Sequence, residues 1–150
     1  MVNAKAYDSP FVQFRERPLS LRQILTGMVD ARATDFYMRV GEPVVYKVDD
    51  KVVRYDTERL TDRHMRQVMA AFFTESDNER FRQRREVDTV HAEAEVRYRV
   101  HLATGNHGIY GVIRRISQDI MPIETLGFPI KAIEPLKKLR SGLVLIAGAT

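Results

Sequence analysis

Between Glu95 and Ile116 the chain consists of two alternating stretches joined by Gly105-Asn106-His107-Gly108. Alternation at a period of two does not fit a helix, but it fits strands with one buried face and one wet face. In the first stretch Val96, Tyr98, Val100 and Leu102 share the apolar face, and Arg97, Arg99 and His101 share the other. Centring the turn between Asn106 and His107 places Arg99 directly opposite Arg114, and His101 opposite Val112. Like charges directly across a sheet destabilise it by a few tenths of a kcal/mol up to about 1. An anion seated between the two arginines would relieve that cost. So would side chains splayed into water, or a bulge that shifts the register. The residues alone leave these alternatives open.

The rest of the chain supplies more short strands and a few helices. Residues 1–17 show no clean period and are expected to form an extended arm. Ser20 is a fitting N-cap for a helix whose stripe is Leu21, Ile24, Leu25 and Met28. Thr34 to Val40 alternates, with Phe36, Met38 and Val40 on one face and Asp35, Tyr37 and Arg39 on the other. Strands are also expected at Val44–Val48 and Val52–Tyr55, joined by a tight turn at Asp49-Asp50. A helix over Asp62–Phe73 buries Met65, Val68, Met69 and Phe72, and Ser76-Asp77-Asn78-Glu79 has the form of a capping box that opens a third helix. Glu86–His91 adds a further strand, and Ser117–Pro129 is punctuated by proline and glycine. A short helical piece to Arg140 is interrupted by Pro135. Leu143–Ile146 is a continuous apolar run suited to a parallel strand buried on both faces, and it leads to Gly148-Ala149-Thr150, as a phosphate-binding loop begins. Antiparallel hairpins beside helices predict an α+β fold with helices packed on one face of the sheet.

Several kinds of chemistry are excluded. The 150 residues contain no cysteine, so disulfides, thiolate metal sites and thiol catalysis are out. His64, His91, His101 and His107 do not show metal-ligand spacing, so no metal site is expected. Glu86 and Asp88 share a strand face as a possible acid/base pair, but nothing beside them suggests catalysis. No apolar run approaches the roughly 20 residues that span a bilayer, and residues 1–10 lack a secretory apolar core, which points to a cytosolic protein. Net charge is +4, and 18 of the 24 basic residues are arginine, whose planar fork suits phosphate. Arg80, Arg82, Arg84 and Arg85 are interleaved with acidic neighbours and lack the aromatics of a base-stacking surface, so no nucleic acid partner is expected. Gly105-x-x-Gly108 matches the backbone-clamping loop of KH domains in spacing, but that loop joins two helices and this one joins two strands.

The order of these pieces resembles the N-terminal region of the secretion ATPases of type IV pilus and type II secretion systems, most of all PilT-like pilus-retraction ATPases. Ala33-Thr34-Asp35-Phe36-Tyr37-Met38 is similar to the family's A-S-D-L-H-L strand. Gly41-Glu42-Pro43 with Tyr46-Lys47-Val48-Asp49-Asp50 resembles G-x-P-P-x-x-R-V-D-G, although Asp50 stands for glycine and Lys47 for arginine. Glu86-Val87-Asp88 resembles E-x-D-F, and Arg97-Tyr98-Arg99-Val100 resembles R-F-R-V-N. Val112 to Ile116 is similar to V-x-R-x-I-P, with Ser117 in place of the proline, and Ile123 to Pro129 to L-E-x-L-G-L-P. Gly142 to Thr150 resembles the start of G-L-V-L-V-T-G-x-T-G-S-G-K-S-T.

The resemblance implies a PAS-like N-terminal domain at 18–116 after the arm, a linker at 117–140, and the first strand of a RecA-like P-loop domain at 141–150. It implies a truncated member, without the Walker lysine or the Walker B carboxylate, that does not hydrolyse ATP by itself and carries no cofactor. In the full-length protein it implies ATP and Mg²⁺, a homohexamer, and contact with the motor domain of its own chain and of neighbouring subunits. It further implies a platform protein and a place at the cytoplasmic face of the inner membrane. Arg99 and Arg114 match the family's arginines that reach the nucleotide phosphates, with Arg97 beside them, and Gly148 and Thr150 fall in the phosphate loop. Losing either arginine is then expected to cost motor activity and to leave stability level or slightly raised. A PAS-like ligand sensor and a basic nucleic-acid-binding module are the alternatives.

Overall fold

The computed structural model describes residues 3–93, 95–116, 121–127, 129–136, 138–145 and 147–148. It divides into two units, Met1–Gln118 and Asp119–Thr150. The first unit is α+β. In chain order it runs α1 (Ala4–Asp8), β1 (Pro10–Phe14), β2 (Arg17–Ser20), α2 (Leu21–Asp30), β3 (Asp35–Arg39), β4 (Val45–Val48) and β5 (Lys51–Arg54). It continues through α3 (Asp62–Phe72), α4 (Glu75–Arg84), β6 (Glu86–Glu93), β7 (Val96–Gly105) and β8 (Gly108–Ile116). Strands β3 to β8 form one antiparallel sheet in the order β5-β4-β3-β8-β7-β6, and β1 and β2 form a separate hairpin.

One face of the large sheet carries the core. Phe36, Met38, Tyr46, Val87, Tyr98, Val100, Leu102 and Ile113 pack with Leu21, Leu25 and Met28 of α2 and with Met65, Val68 and Phe72 of α3. The alternate residues, among them Tyr37, Val52, Val90, Tyr110 and Ile116, are exposed on the opposite face. That division is the pleat acting on an alternating sequence. Gly111 lies opposite Leu102, and a Cβ there would collide with the Leu102 side chain and the His101 carbonyl, so only glycine fits.

Local chemistry sets the boundaries. Ser20 caps α2 through a reciprocal pair with Gln23, as expected. The cap of α4 is Thr74, two residues before the Ser76 capping box that the sequence suggested. The buried Asp77 carboxylate accepts from the Thr74 backbone and hydroxyl at 3.0 and 2.7 Å, while the Thr74 hydroxyl accepts from the Asp77 backbone. Asp49 and Asp50 both adopt positive φ, 46° and 60°, which makes the mirror-image turn that a two-residue hairpin favours without a glycine. Lys47 Nζ meets Asp50 Oδ1 at 2.8 Å and ties that turn to β4.

Residues 3–17, expected with residues 1 and 2 as an extended arm, are not one. They form α1, β1 and the start of the hairpin, and Tyr7, Phe11 and Val12 enter the core. Ser9-Pro10 splits two five-residue elements, and neither is long enough to show a period. The Tyr7 hydroxyl donates to Glu93 of β6, and Arg22 of α2 pairs with Glu93 and with Asp8 while lying 4.7 Å from the centre of the Tyr7 ring. Burial pushes the Tyr7 hydroxyl up to about 12, so it remains a donor over the physiological range.

The second unit contains a short 3₁₀ turn (Ile123–Leu126) and α5 (Ile130–Leu136), with Pro135 inside its last turn. The strand expected at Leu143–Ile146 is not formed among the described residues. Leu143, Val144 and Leu145 are exposed, Leu143 at 83%, and Ile146 lies outside the described residues. A parallel strand draws its backbone hydrogen bonds from neighbouring strands, and none of the described strands pairs with this run.

If the N-terminal segment belongs to the core, Phe11→Ala should destabilise the protein by about 3–5 kcal/mol, the range for a buried phenylalanine. Urea denaturation of the variant checks this, and an arm lying outside the core would leave the midpoint unmoved.

Candidate functional site

The β7–β8 register places Arg99 opposite Arg114 and His101 opposite Val112, as the hairpin arithmetic gave. Across the whole sheet the same row reads Val90, Arg99, Arg114, Asp35, Lys47 and Val52. All of these point to the face that the helices leave open. The like-charge pair therefore exists, with no bulge, at the middle of the open face.

Each arginine is compensated by a carboxylate on its outer side. Arg99 donates from Nε to both Asp88 oxygens at 2.9 Å and also from Nη2 to Oδ2. Arg114 donates from Nε to Asp35 Oδ1 at 2.7 Å, and Asp35 Oδ2 accepts from the Thr34 hydroxyl at 2.8 Å. Asp35 sits in the row beside Arg114 and Asp88 reaches Arg99 from the next row, so each arginine has a carboxylate and no external anion is required to hold the register. Both arginine side chains stay 57% exposed. Asp35 is only 2% exposed, because Arg114, Thr34 and the strand neighbours cover it.

A depression of about 320 Å³ opens between these groups, lined by Asp88, Arg99, His101, Val112 and Arg114. It falls within the size range of small-ligand sites and presents two guanidinium groups to solvent. Arg97 projects from the same face one row further on, beside Ala92 and Ile116, and does not line the depression. Gly148 belongs to the second unit and is exposed, and Thr150 lies outside the described residues. On α4, Arg80 pairs with Asp77 and Arg82 with Glu79, which cancels much of the basic cluster there. His64 accepts from the Thr61 backbone at the start of α3, and His91 is buried among Tyr7, Phe72 and Tyr98. Among the described residues, no three His, Asp or Glu side chains are grouped to hold a metal ion.

The sequence reading missed the two carboxylate partners. Along its own strand Asp88 stands beside Glu86 and shows no link to an arginine. Centring the β6–β7 turn between Ala94 and Glu95 would have set Asp88 opposite His101, one step from Arg99. Asp35 carried no local signal, since β3 meets β8 across about 75 residues of chain. The hydrogen bonds from Arg99 hold the Asp88 carboxyl below the usual carboxylate range, against a smaller upward push from burial, with the His101 charge assisting.

No protein-family model and no curated protein sequence matches this chain. Solved structures do match. The pilus retraction motor PilT with bound ADP is similar at 16% identity and a TM-score of 0.71, over 80% of this chain and 36% of that one. The ATPase DotB of Legionella pneumophila is similar at 16% identity and 0.63, over 83% and 38%. DotB of Yersinia pseudotuberculosis is similar at 14% identity and 0.62, over 85% and 39%. At these identities the likeness is one of fold, and this chain spans well under half the length of those proteins. Among the described residues, no helix is long and apolar enough to cross a membrane.

The charge row changes the stability expected of the arginine variants. Arg114→Ala strips a buried carboxylate of its charged donor and should cost about 1–3 kcal/mol rather than leave stability level. Arg99→Ala exposes only the more accessible Asp88 and should cost much less. Paired urea melts of the two variants check the order.

Asp88 also has a pH signature. Its carboxyl lies lower in the folded chain than in the unfolded one, so the stability it adds is complete above about pH 4 and is lost as pH falls through the folded value. Asp88→Asn should flatten that part of the acid limb in a series of melts below about pH 4, and an unchanged limb would show that the pair adds nothing.

Proposed function

We propose that residues 1–118 are the N-terminal domain of a motor ATPase of the pilus and secretion type, and that Arg114 and Arg99 face the phosphates of a nucleotide held by a RecA-like motor domain. The observation that carries this reading is the opposed arginine pair, at the centre of a sheet face left open by the helices, on a fold shared with an ADP-bound retraction motor. The resemblance of the strand sequences to that family supports it independently. ATP with Mg²⁺ would supply phosphoryl transfer in the assembled protein, and the phosphate loop would belong to the motor domain. This domain contributes charge and orientation. A guanidinium offers paired donors that match phosphate oxygens, and it stabilises the charge that spreads over the transferred group. Asp35 sets the direction of Arg114 through Nε, so that its terminal nitrogens lie outside that contact.

In this reading the partners are the motor domain of the same chain and of neighbouring subunits in a homohexamer. A platform protein at the cytoplasmic face of the inner membrane completes the assembly. The 150 residues hold no Walker lysine, so the purified chain should show no Mg²⁺-dependent ATP hydrolysis.

Ligand sensing is the second reading. It rests on a cavity of about 370 Å³ between the β1–β2 hairpin, α2 and β4, lined in part by Phe14, Leu19, Ile24, Val44, Tyr46 and Tyr55. That cavity lies away from the arginine pair, and its polar lining includes Arg17, Gln23, Thr26, Asp30 and Thr57. Nucleic-acid binding has no comparable support, because the α4 arginines are largely paired.

The decisive measurement is turnover in the protein that includes its motor domain. Arg114→Ala should lower it by about 10³-fold or more, the range seen for arginine fingers, in a sample shown to be folded. Normal turnover with a lowered melting temperature would overturn the assignment.

A further inference from the structure

The two arginines of the open face are held in different ways. Asp35 engages Arg114 through Nε alone, and that carboxylate is buried and also fixed by the Thr34 hydroxyl. Asp88 takes the whole Nε–Nη2 edge of Arg99 and remains accessible, with 39% of its side chain exposed. That edge is one a phosphate would use, since carboxylate and phosphate present similar pairs of oxygens to a guanidinium. Arg99 and Asp88 thus form a closed pair at the rim of the depression, whereas Arg114 is posed with part of its fork outside its own pair.

Asp88 also has somewhere else to go. It stands on the wall between two depressions. One contains Arg99 and Arg114, and the other, of about 240 Å³, is lined by Arg80, Arg84, Glu86, Val87, Asp88 and His101. His101 lies directly opposite Asp88 in the β6–β7 register and faces both depressions. Turned away from Arg99, the Asp88 carboxylate would face His101 and the second depression, whose lining carries Arg84 and Arg80, the latter paired with Asp77. Asp35 is held more firmly, because it is buried and also bound by the Thr34 hydroxyl, although Lys47 stands opposite it in the register.

We infer that Asp88 is a resident competitor for the anion site. A phosphate-bearing ligand settles on Arg114 and takes Arg99 from Asp88 by exchange, so the second arginine is recruited only when the anion is present. Asp88 is a positioning residue and does not touch the reacting atoms. This rests on the reading that the open face receives phosphates. It adds that the site is half shut until it is filled, and that Arg99 and Arg114 are not interchangeable.

Inorganic pyrophosphate titrated into the 150-residue chain by calorimetry, with the arginine Nε–H signals followed by NMR, tests the idea directly. Asp88→Asn should raise pyrophosphate affinity by about tenfold, the gain expected if the closed pair outnumbers the open one by about ten to one. Glu86→Gln removes a carboxylate from the same strand face without freeing an arginine, and screening should limit its gain to about twofold. Adding Arg99→Ala to Asp88→Asn should abolish the gain. Equal gains from Asp88→Asn and Glu86→Gln would overturn the competitor while leaving the phosphate reading intact. Pyrophosphate binding that Arg114→Ala does not weaken, or no binding by any variant, would overturn the phosphate reading itself.

Discussion

The register of the β7–β8 hairpin sets two positive charges face to face, and the surrounding structure answers that constraint. Strand β6 brings Asp88 to the outer side of Arg99, and β3 brings Asp35 to the outer side of Arg114. Both carboxylates come from strands that flank the hairpin in the sheet order. The arrangement gives each guanidinium a carboxylate without burying either. A sheet that neutralised the pair by apolar covering would have lost the two exposed donors.

The other constraint is that the large sheet has a single covered face. Its core is deepened by a segment that looks too short to matter, namely α1 and the first hairpin, which place Tyr7, Phe11 and Val12 against α2 and α3. The Tyr7, Glu93, Arg22 and Asp8 contacts fasten that segment to an edge strand and a helix at once. With the helices and the N-terminal segment committed to one side, the arginine row is left on the other. Tyr37, Tyr110, Val90 and Ile116 are exposed on that face as well.

Fold and function stand on different ground here. Superposition on PilT and DotB fixes the architecture, yet at 14–16% identity it does not carry residue roles across. The arginine pair, its unequal carboxylate partners and the depression between them are properties of this chain.

Local periodicity was enough to determine the hairpins, the α2 cap, the α+β class and the opposition of Arg99 and Arg114. In a tight antiparallel hairpin the turn fixes every cross-strand pair, so the register can be counted from the residues. The sequence could not show that Asp35 closes on Arg114, since that contact joins strands far apart in the chain and depends on which strand becomes the neighbour of β8. It also could not show that Tyr7, Phe11 and Val12 are core, because a five-residue helix and a five-residue strand are too short for a period to appear. The apolar run at Leu143–Leu145 has the composition of a strand, but strand formation requires partners, and only the tertiary structure decides whether a run has them.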